Sequence, residues 1–165
     1  MLQKSDELQL REDFLAAMRT VANSVTVVTT AGKGGVHGAT VSSFCSVSAD
    51  PPTLLVCLNK DGSTGNAIAE NKRFCINILP AGWAETARIF ADPGADKLEA
   101  LDDDLWVQVN GLPVLKEASA FVCTSSQMLE ATSHLVVIGE VVGVQVGDKE
   151  PLIYLNRKFT DVSKA

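Results

Sequence analysis

The sequence predicts a mainly β protein with a few short helices, arranged as a barrel or a sandwich. About seven apolar or β-branched segments recur at spacings near ten residues, which is typical of antiparallel sheets. The stretches between them are too short for the long helices that a parallel α/β sheet requires. No GxGxxG follows a predicted strand and no GxxxxGK[ST] occurs, so a Rossmann fold and a P-loop are both excluded.

Local patterns predict the individual elements. Residues 11–22, REDFLAAMRTVA, space their apolar side chains three and four apart and predict a short amphipathic helix, preceded by a flexible extension over residues 1–10. The turn AGKGG joins SVTVVTT to VHGATVSSFCSVS in a predicted hairpin. Further helices are predicted from about Thr64 and over residues 82–93. The other predicted strands are PPTLLVCLN, RFCINILP, LWVQV, SAFVCTSSQMLEA, HLVVIGEVVGVQV and PLIYLNRKF.

Length and charge limit the classes of function. The 165 residues fit one domain over residues 1–165. A net charge of −6 argues against nucleic acid or an anionic membrane as the main partner, because both favour clustered Lys and Arg. No run of 18 apolar residues occurs, and the first residues, MLQKSDELQLRED, lack the apolar region of a secretory signal. A cytoplasmic location is therefore expected.

The histidine and acidic residues of the sequence form no pattern that predicts a hydrolytic site or a metal site. His37 and His134 are the two histidines, and neither belongs to a pattern of nucleophile and base. His37 is predicted at the surface. His134, at the start of a long apolar strand, is predicted at a surface or rim position, with contact to a ligand as the alternative. The acidic segment GADKLEALDDD is interpreted as a surface loop, including Asp102–Asp104, and no metal site is expected.

The four cysteines form no CxxC pair and match no zinc spacing. Three of them lie in the apolar runs LLVCLN, FCINIL and AFVC. They are interpreted as buried, reduced thiols that act as small hydrophobic side chains, with a disulfide or a redox pair as the alternative. The residues concerned are Cys45, Cys57, Cys75 and Cys123.

Two polar segments are candidates for ligand binding. NKDGST, Asn59–Thr64, follows a strand and precedes a helix, so it offers a lysine, hydroxyls and free N–H groups that suit a phosphate. A simple N-cap by Ser63 or Thr64 is the alternative, and the two interpretations are compatible. YLNRKF, Tyr154–Phe159, is either a barrel-closing strand with solvated charges or a site for a second anionic or aromatic ligand.

The order of these segments resembles that of the short-chain flavin reductases, the reductase components of two-component flavin-dependent monooxygenases. The resemblance extends from about Phe14 to Phe159. Its most specific part is the succession of hydroxyl-rich strand, double proline, apolar strand and NK loop. The matching segments are FLAAMRTVANSVTVVTT, GATVSSFCSVSADPPTLLVCLNKDGST, FCINIL, IFAD, GLPVL, SHLVVIGEV and PLIYLNRKF.

The resemblance implies an FMN-binding split β-barrel that forms a homodimer. It implies that the protein uses NADH or NADPH to reduce FMN or FAD, which then leaves for a separate oxygenase. The cofactors carry this reaction, so no catalytic side chain is expected. By likeness, the flavin ring would lie against Ala39, Thr40, Val41, Ser42 and Ser43, with Ser48 near the ribityl chain or the ring edge. The phosphate would contact Asn59, Lys60, Ser63 and Thr64. The nicotinamide would be bordered by His134, Arg157 and Phe159.

The chain departs from the family's usual pattern at three places. It has NSV, Asn23–Val25, where Thr-Gly-Val is common, and TSH, Thr132–His134, where Gly-Asp-His is common. Lys97 stands where an arginine is usual. Two other functions are compatible with the same barrel. One is a non-enzymatic flavin-binding or electron-carrier protein, and the other is a protein that binds a different ligand, such as haem.

Overall fold

The computed structural model describes residues 4–101 and 104–164. This part of the chain contains four α-helices, one 3-10 helix and twelve strands. The helices are α1 (Lys4–Met18), α2 (Ser63–Asn71), α3 (Ala84–Ala91) and α4 (Lys97–Leu101), and the 3-10 helix is Val162–Lys164. The strands are β1 (Asn23–Ser24), β2 (Thr26–Thr30), β3 (His37–Val41), β4 (Phe44–Ala49), β5 (Pro52–Asn59), β6 (Arg73–Ile78), β7 (Trp106–Val109), β8 (Leu112–Leu115), β9 (Ser119–Ala131), β10 (His134–Gln145), β11 (Leu152–Leu155) and β12 (Lys158–Asp161). The protein is thus mainly β with a few helices, as the sequence predicts.

A seven-stranded antiparallel sheet in the order β3-β2-β6-β9-β10-β5-β4 forms the body of the molecule. Its edge strands, β3 and β4, are joined by Ser42 and Ser43 alone. Three residue steps span at most about 11 Å, whereas six strand spacings in a flat sheet span about 29 Å. The sheet must therefore curl strongly until its two edges approach each other.

Two smaller sheets complete the fold. One has the order β1-β11-β12, and the other is the β7–β8 hairpin. Asn77 of β6 is fully buried and ties that hairpin to the main sheet. Its Oδ1 accepts a hydrogen bond from the Leu115 N–H at 2.9 Å, and its Nδ2 donates to the Val27 carbonyl at 3.1 Å.

One of the buried hydrophobic clusters lies on one face of the seven-stranded sheet. It consists of aliphatic residues of β2, β5, β6 and β10, the α2 residue Ile68, and the fully buried ring of Phe74. The inward residues alternate along β5, where Leu54, Val56 and Leu58 are buried and the residues between them are half exposed. This period of two is the expected signature of a strand with one buried face.

The structure corrects several predicted boundaries. The first helix begins at Lys4 and ends at Met18, whereas the sequence predicts a helix over residues 11–22. The flexibility of residues 1–10 stays a prediction. The predicted strand VHGATVSSFCSVS is two strands, β3 and β4, separated by Ser42 and Ser43. The predicted acidic loop contains the helix α4. Its residues Asp102 and Asp103 lie outside the described part, and Asp104 is exposed.

The predicted hairpin around AGKGG is confirmed, since β2 and β3 pair antiparallel with Thr30 opposite His37. The predicted helix over residues 82–93 is also confirmed, and it buries Ala87 and Phe90. His37 is half-buried at the base of the hairpin, where its Nε2 lies 3.1 Å from the Gly34 carbonyl. Among the described residues, no helix is long and apolar enough to span a membrane.

Candidate functional site

A cavity of about 430 Å³, here called the first cavity, opens beside the edge strand β3. Its volume lies within the range of roughly 300–1,000 Å³ that is usual for small-molecule sites. Four parts of the fold form its wall: β3, the end of β5 with its following loop, the start of α2, and the segment from α3 to α4. The lining residues are Ala39, Thr40, Val41, Leu58, Asn59, Asp61, Gly62, Ser63, Thr64, Gly65, Phe90, Ala91, Pro93 and Lys97.

The N-terminus of α2 lies at this cavity without a side-chain cap. Gly62 is the N-cap residue and no side chain caps the helix by a hydrogen bond, so the prediction that Ser63 or Thr64 is the cap is wrong. Asn59 Oδ1 accepts a hydrogen bond from the Asp61 N–H in the preceding loop, at 3.0 Å. The first N–H groups of a helix have no partner within the helix. They are therefore available to an anionic ligand in the cavity.

The β3 wall offers backbone groups rather than side chains. β3 pairs with β2 on one side and is an edge strand of the sheet on the other. The Thr40 hydroxyl donates to the Ala87 carbonyl at 2.7 Å, so it holds α3 against the strand. Gly38 permits close packing of Phe90, because an added Cβ would lie 2.7 Å from that ring. The β3 residues that line the first cavity are Ala39, Thr40 and Val41, so a flat ligand would meet small side chains at this strand.

The serines that follow β3 have other surroundings. Ser42 lines a separate, second cavity between the C-terminal end of α1 and the turn that joins β11 to β12. Ser43 Oγ donates to the Cys57 carbonyl at 3.0 Å. Ser48 Oγ donates to the Asp50 carbonyl at 2.9 Å and accepts from the Asp50 N–H at 3.1 Å. Ser43 and Ser48 therefore bind the backbone of their own hairpin, and the wall of the first cavity contains neither of them.

The cation at the first cavity differs from the one that the sequence suggests. Lys60 lies outside the wall, with its Nζ 2.9 Å from Glu130 Oε1. The hydrogen bond and the charge of Glu130 raise the pKa of Lys60. Lys97 is half-buried and lines the cavity, as does the carboxylate-bearing Asp61. Lys97 belongs to a different helix, α4, and the only sequence signal for it was its place in the family pattern, where an arginine is usual.

The three residues expected at the nicotinamide lie in different places. His134 is exposed and stands opposite Asn59 in the β5–β10 pairing, with its Nδ1 2.9 Å from Ser133 Oγ. Arg157 lines the second cavity. Phe159 is half-buried beside α3, where the guanidinium of Arg88 lies 5.5 Å from its ring centroid. Arg157 and Phe159 share the β11–β12 hairpin, whereas His134 pairs with Asn59 at the end of β5 and is not part of the wall of the first cavity.

The thiols are free in the structure, but their burial varies. Burial raises the pKa of Cys75 and of Cys123 to about 12, so both remain protonated at neutral pH. Cys57 is half-buried, and burial raises its pKa as well. Cys45 is exposed, so the prediction of burial is wrong for this residue. The described residues contain no group of three or more His, Cys, Asp or Glu side chains placed to hold a metal ion.

The fold and the first cavity define a class of protein. It is a mainly β protein whose curled sheet presents a strand edge beside an uncapped helix N-terminus and a lysine. Such a site suits a ligand with a flat hydrogen-bonding part and an anionic end. A flavin nucleotide fits this description, because its ring can meet the strand edge and its phosphate the helix.

Comparison with known proteins identifies the family. The family model described as "Flavin reductase like domain" matches residues 18–163, so the chain belongs to that family. It is 37% identical over 155 residues to the FMN reductase (NADH) RutF of Ancylobacter novellus, covering 93% of this chain and 86% of that protein. It is 38% identical over 150 residues to a reductase component from Rhodococcus opacus, covering 90% of this chain and 80% of that protein. That relative is the reductase component of 4-nitrophenol 4-monooxygenase/4-nitrocatechol 2-monooxygenase.

Solved structures agree with this assignment. The NADH:FAD oxidoreductase SgcE6 of Streptomyces globisporus, in complex with NAD and FAD fragments, superposes with a TM-score of 0.81 at 29% identity. The match covers 97% of this chain and 94% of that one. The resemblance to flavin reductases inferred from the sequence is therefore confirmed.

Proposed function

We propose that this protein is an NAD(P)H:flavin oxidoreductase, which transfers hydride from NADH or NADPH to FMN or FAD. The observation that carries the proposal is the uncapped N-terminus of α2 at a cavity whose other side is the free edge of β3. The names of the relatives favour NADH as the donor, and they include both FMN and FAD as flavins. Reduced flavin would pass to a separate oxygenase component, as the name of the Rhodococcus relative indicates.

The curled sheet supports a split barrel. Only Ser42 and Ser43 connect the two edge strands, which requires the strongly curled sheet described above. In this arrangement β3 and β4 would flank the gap of the barrel without pairing to each other. The free edge of β3 at that gap is what makes backbone N–H and C=O groups accessible to a ligand.

The phosphate of the flavin would bind at α2. The N–H groups of the first turn would donate to it, together with the hydroxyls of Ser63 and Thr64, both of which line the cavity. Asn59 shapes this loop through its hydrogen bond to the Asp61 N–H. Lys97, which also lines the cavity, would supply the positive charge, and Lys60 remains paired with Glu130.

The flavin ring would lie against Ala39, Thr40 and Val41. When bound, the flavin provides the ring that accepts the hydride. The chain's part is to orient that ring through the edge of β3 and to keep α3 in place through the hydrogen bond from Thr40 to Ala87. Phe159 is proposed to border the nicotinamide from the β11–β12 side, and His134 from the α2 side.

A homodimer is proposed from the surface of β10. Val142 and Val144 of β10, and Val146 directly after its end, have exposed fractions of 60%, 58% and 86% and form an apolar stripe. A contiguous apolar patch of this kind is typical of an interface. Sedimentation of the purified protein tests this assembly, and Val144→Lys is expected to shift it toward the monomer. The protein is proposed to work in the cytoplasm, where reduced pyridine nucleotides are available.

The activity is tested by mixing catalytic amounts of protein with NADH and excess FMN, and following absorbance at 340 nm. Repeating the assay with FAD and with NADPH gives the preference for each cofactor. Many turnovers per protein molecule are expected. Tight retention of one flavin with no turnover of added flavin would instead establish the electron-carrier alternative.

A further inference from the structure

A side chain at the C-terminal end of α2 joins this helix to the β2–β3 hairpin. Asn71 is the last residue of α2, and its amide bonds the end of β2 and the turn that follows. The Asn71 Oδ1 accepts a hydrogen bond from the Gly34 N–H at 2.7 Å. Its Nδ2 donates to the Thr30 Oγ1 at 3.0 Å and to the Gly35 carbonyl at 3.1 Å. Both ends of the amide are thus used to hold the hairpin against the helix.

The turn of the hairpin also packs closely against the helix. A Cβ added at Gly34 would lie 3.0 Å from the Ala67 carbonyl oxygen and 3.1 Å from the Glu70 Cβ. A Cβ added at Gly32 would lie 2.6 Å from the Asn71 Oδ1. A side chain at either glycine would therefore push the turn away from α2.

Apolar packing holds α2 over the sheet but does not fix its position along the hairpin. Ile68 is fully buried in the cluster against which Ala39 and Val41 pack. Such contacts are non-directional, whereas hydrogen bonds require particular distances and angles. Within the described ranges, Asn71 is the one α2 residue whose side chain hydrogen-bonds this hairpin. Its amide therefore determines how α2 lies lengthwise against the hairpin.

The opposite ends of the same two elements form the first cavity. Its wall contains Thr64 in the first turn of α2 and Val41 at the end of β3, but not Asn71. The nine residues of α2 span about 13 Å, so Asn71 acts from a distance. Because a helix of this length moves as one body, a contact at its C-terminal end sets the separation between its first N–H groups and β3.

We infer that Asn71 is a positioning residue, which holds the N-terminus of α2 at the separation from β3 that one flavin nucleotide can bridge. FMN needs both walls, since its ring would meet β3 and its phosphate would meet α2. Riboflavin lacks the phosphate and would meet β3 alone. A ligand that engages two sites at once depends on their relative geometry, whereas a ligand of one site does not. This inference rests on the proposed function and assigns a role to a residue outside the cavity wall.

Asn71→Ala tests the inference by fluorescence titration with FMN and with riboflavin. Alanine is a good helix former, so α2 itself is not weakened. The dissociation constant for FMN is expected to rise about 5- to 10-fold, within the range of one neutral hydrogen bond, and that for riboflavin to change by roughly twofold or less. The KM for FMN is expected to rise by a similar factor with kcat unchanged, because the lost binding is common to the ground state and the transition state.

Asn77→Ala is the matched control. Asn77 also uses both ends of its amide on the backbone, but it is not part of the wall of the first cavity and does not contact α2 by a hydrogen bond. The variant is expected to have a lower Tm and an unchanged ratio of the dissociation constants for FMN and riboflavin. It therefore separates a loss of position from a general loss of stability.

Gly34→Ala disturbs the same contact from the hairpin side and keeps the test available if Asn71→Ala does not fold. It is expected to weaken FMN binding by a similar factor and to leave riboflavin binding unchanged. The two substitutions together are expected to cost less than the sum of their separate effects, because both break one contact. Lys33→Ala, an exposed neighbour in the same turn, is expected to change neither affinity.

The outcomes that would overturn the inference are distinct from a failure of the proposed function. Unchanged FMN affinity in the folded variants, or equal losses for FMN and riboflavin, would overturn it. A lost preference for FMN in Asn77→Ala would do the same, since any loss of stability would then have this effect. If wild type binds FMN but does not oxidise NADH, the proposed reductase activity fails, whereas the titrations still decide the role of Asn71.

Discussion

Replacing Lys97 with alanine tests which cation holds the flavin phosphate. Lys97 is half-buried in the wall of the first cavity, whereas Lys60 is outside it and paired with Glu130 at 2.9 Å. A hydrogen bond to a charged group contributes about 1.5–3 kcal/mol, and the lower end applies because Lys97 is partly solvated. About 1.5 kcal/mol corresponds to a roughly tenfold change in the dissociation constant.

The assay is fluorescence titration of FMN and of riboflavin, which lacks the phosphate, into the two variants. Lys97→Ala is expected to weaken FMN binding about tenfold at low salt and to leave riboflavin binding unchanged. Lys60→Ala, the matched control, is expected to change FMN affinity by roughly twofold or less. Equal losses for FMN and riboflavin in Lys97→Ala, or a larger loss in Lys60→Ala, would refute the assignment.

Three further predictions concern the charge of the cavity, the core and the thiols. Asp61→Asn removes the carboxylate from the wall of the first cavity and is expected to tighten FMN binding a few-fold, because a negative charge near the phosphate is lost. The same fluorescence titration measures this change. Weaker FMN binding would contradict a phosphate site at this cavity. Asn77→Ala leaves the Val27 carbonyl and the Leu115 N–H without their side-chain partner. It is therefore expected to lower the free energy of unfolding, measured by urea denaturation, by about 1–3 kcal/mol. An unchanged free energy of unfolding would contradict this. Because the pKa values of Cys75 and Cys123 rise from 9.0 to about 12, the folded state keeps protons that the unfolded chain loses above about pH 9. The two thiols therefore contribute fully to stability below pH 9, and this contribution is lost as the pH rises toward 12. Urea unfolding midpoints that do not fall between pH 9 and pH 12 would contradict this prediction.

The strands were predictable from the sequence because buried apolar and more exposed side chains alternate along them. The alternation of Leu54, Val56 and Leu58 and the glycine turn after β2 indicate a strand and a hairpin by local rules alone. The break between β3 and β4 was not predictable in this way, because Ser42 and Ser43 carry no glycine or proline turn signal and other small hydroxyl residues, such as Thr40 and Ser46, lie within the two strands. That break depends on curvature, which the pairing of the whole sheet determines.

The candidate site was predictable in part. The NKDGST pattern located the helix N-terminus, and the structure places Asn59, Ser63 and Thr64 at the cavity there. The direction of the Lys60 side chain depends on Glu130, which is 70 residues away in the chain. Lys97 reaches the cavity only through the packing of α4. Sequence order carries no information about these long-range contacts.

The most direct test of the proposed reductase is an anaerobic assay with catalytic protein, NADH and excess FMN, followed at 340 and 450 nm. We expect many turnovers, with one flavin bleached for each NADH consumed, because a hydride carries two electrons and the oxidised flavin accepts both. Loss of flavin absorbance limited to one equivalent per protein molecule, or no loss beyond the protein-free rate, would contradict the proposed function.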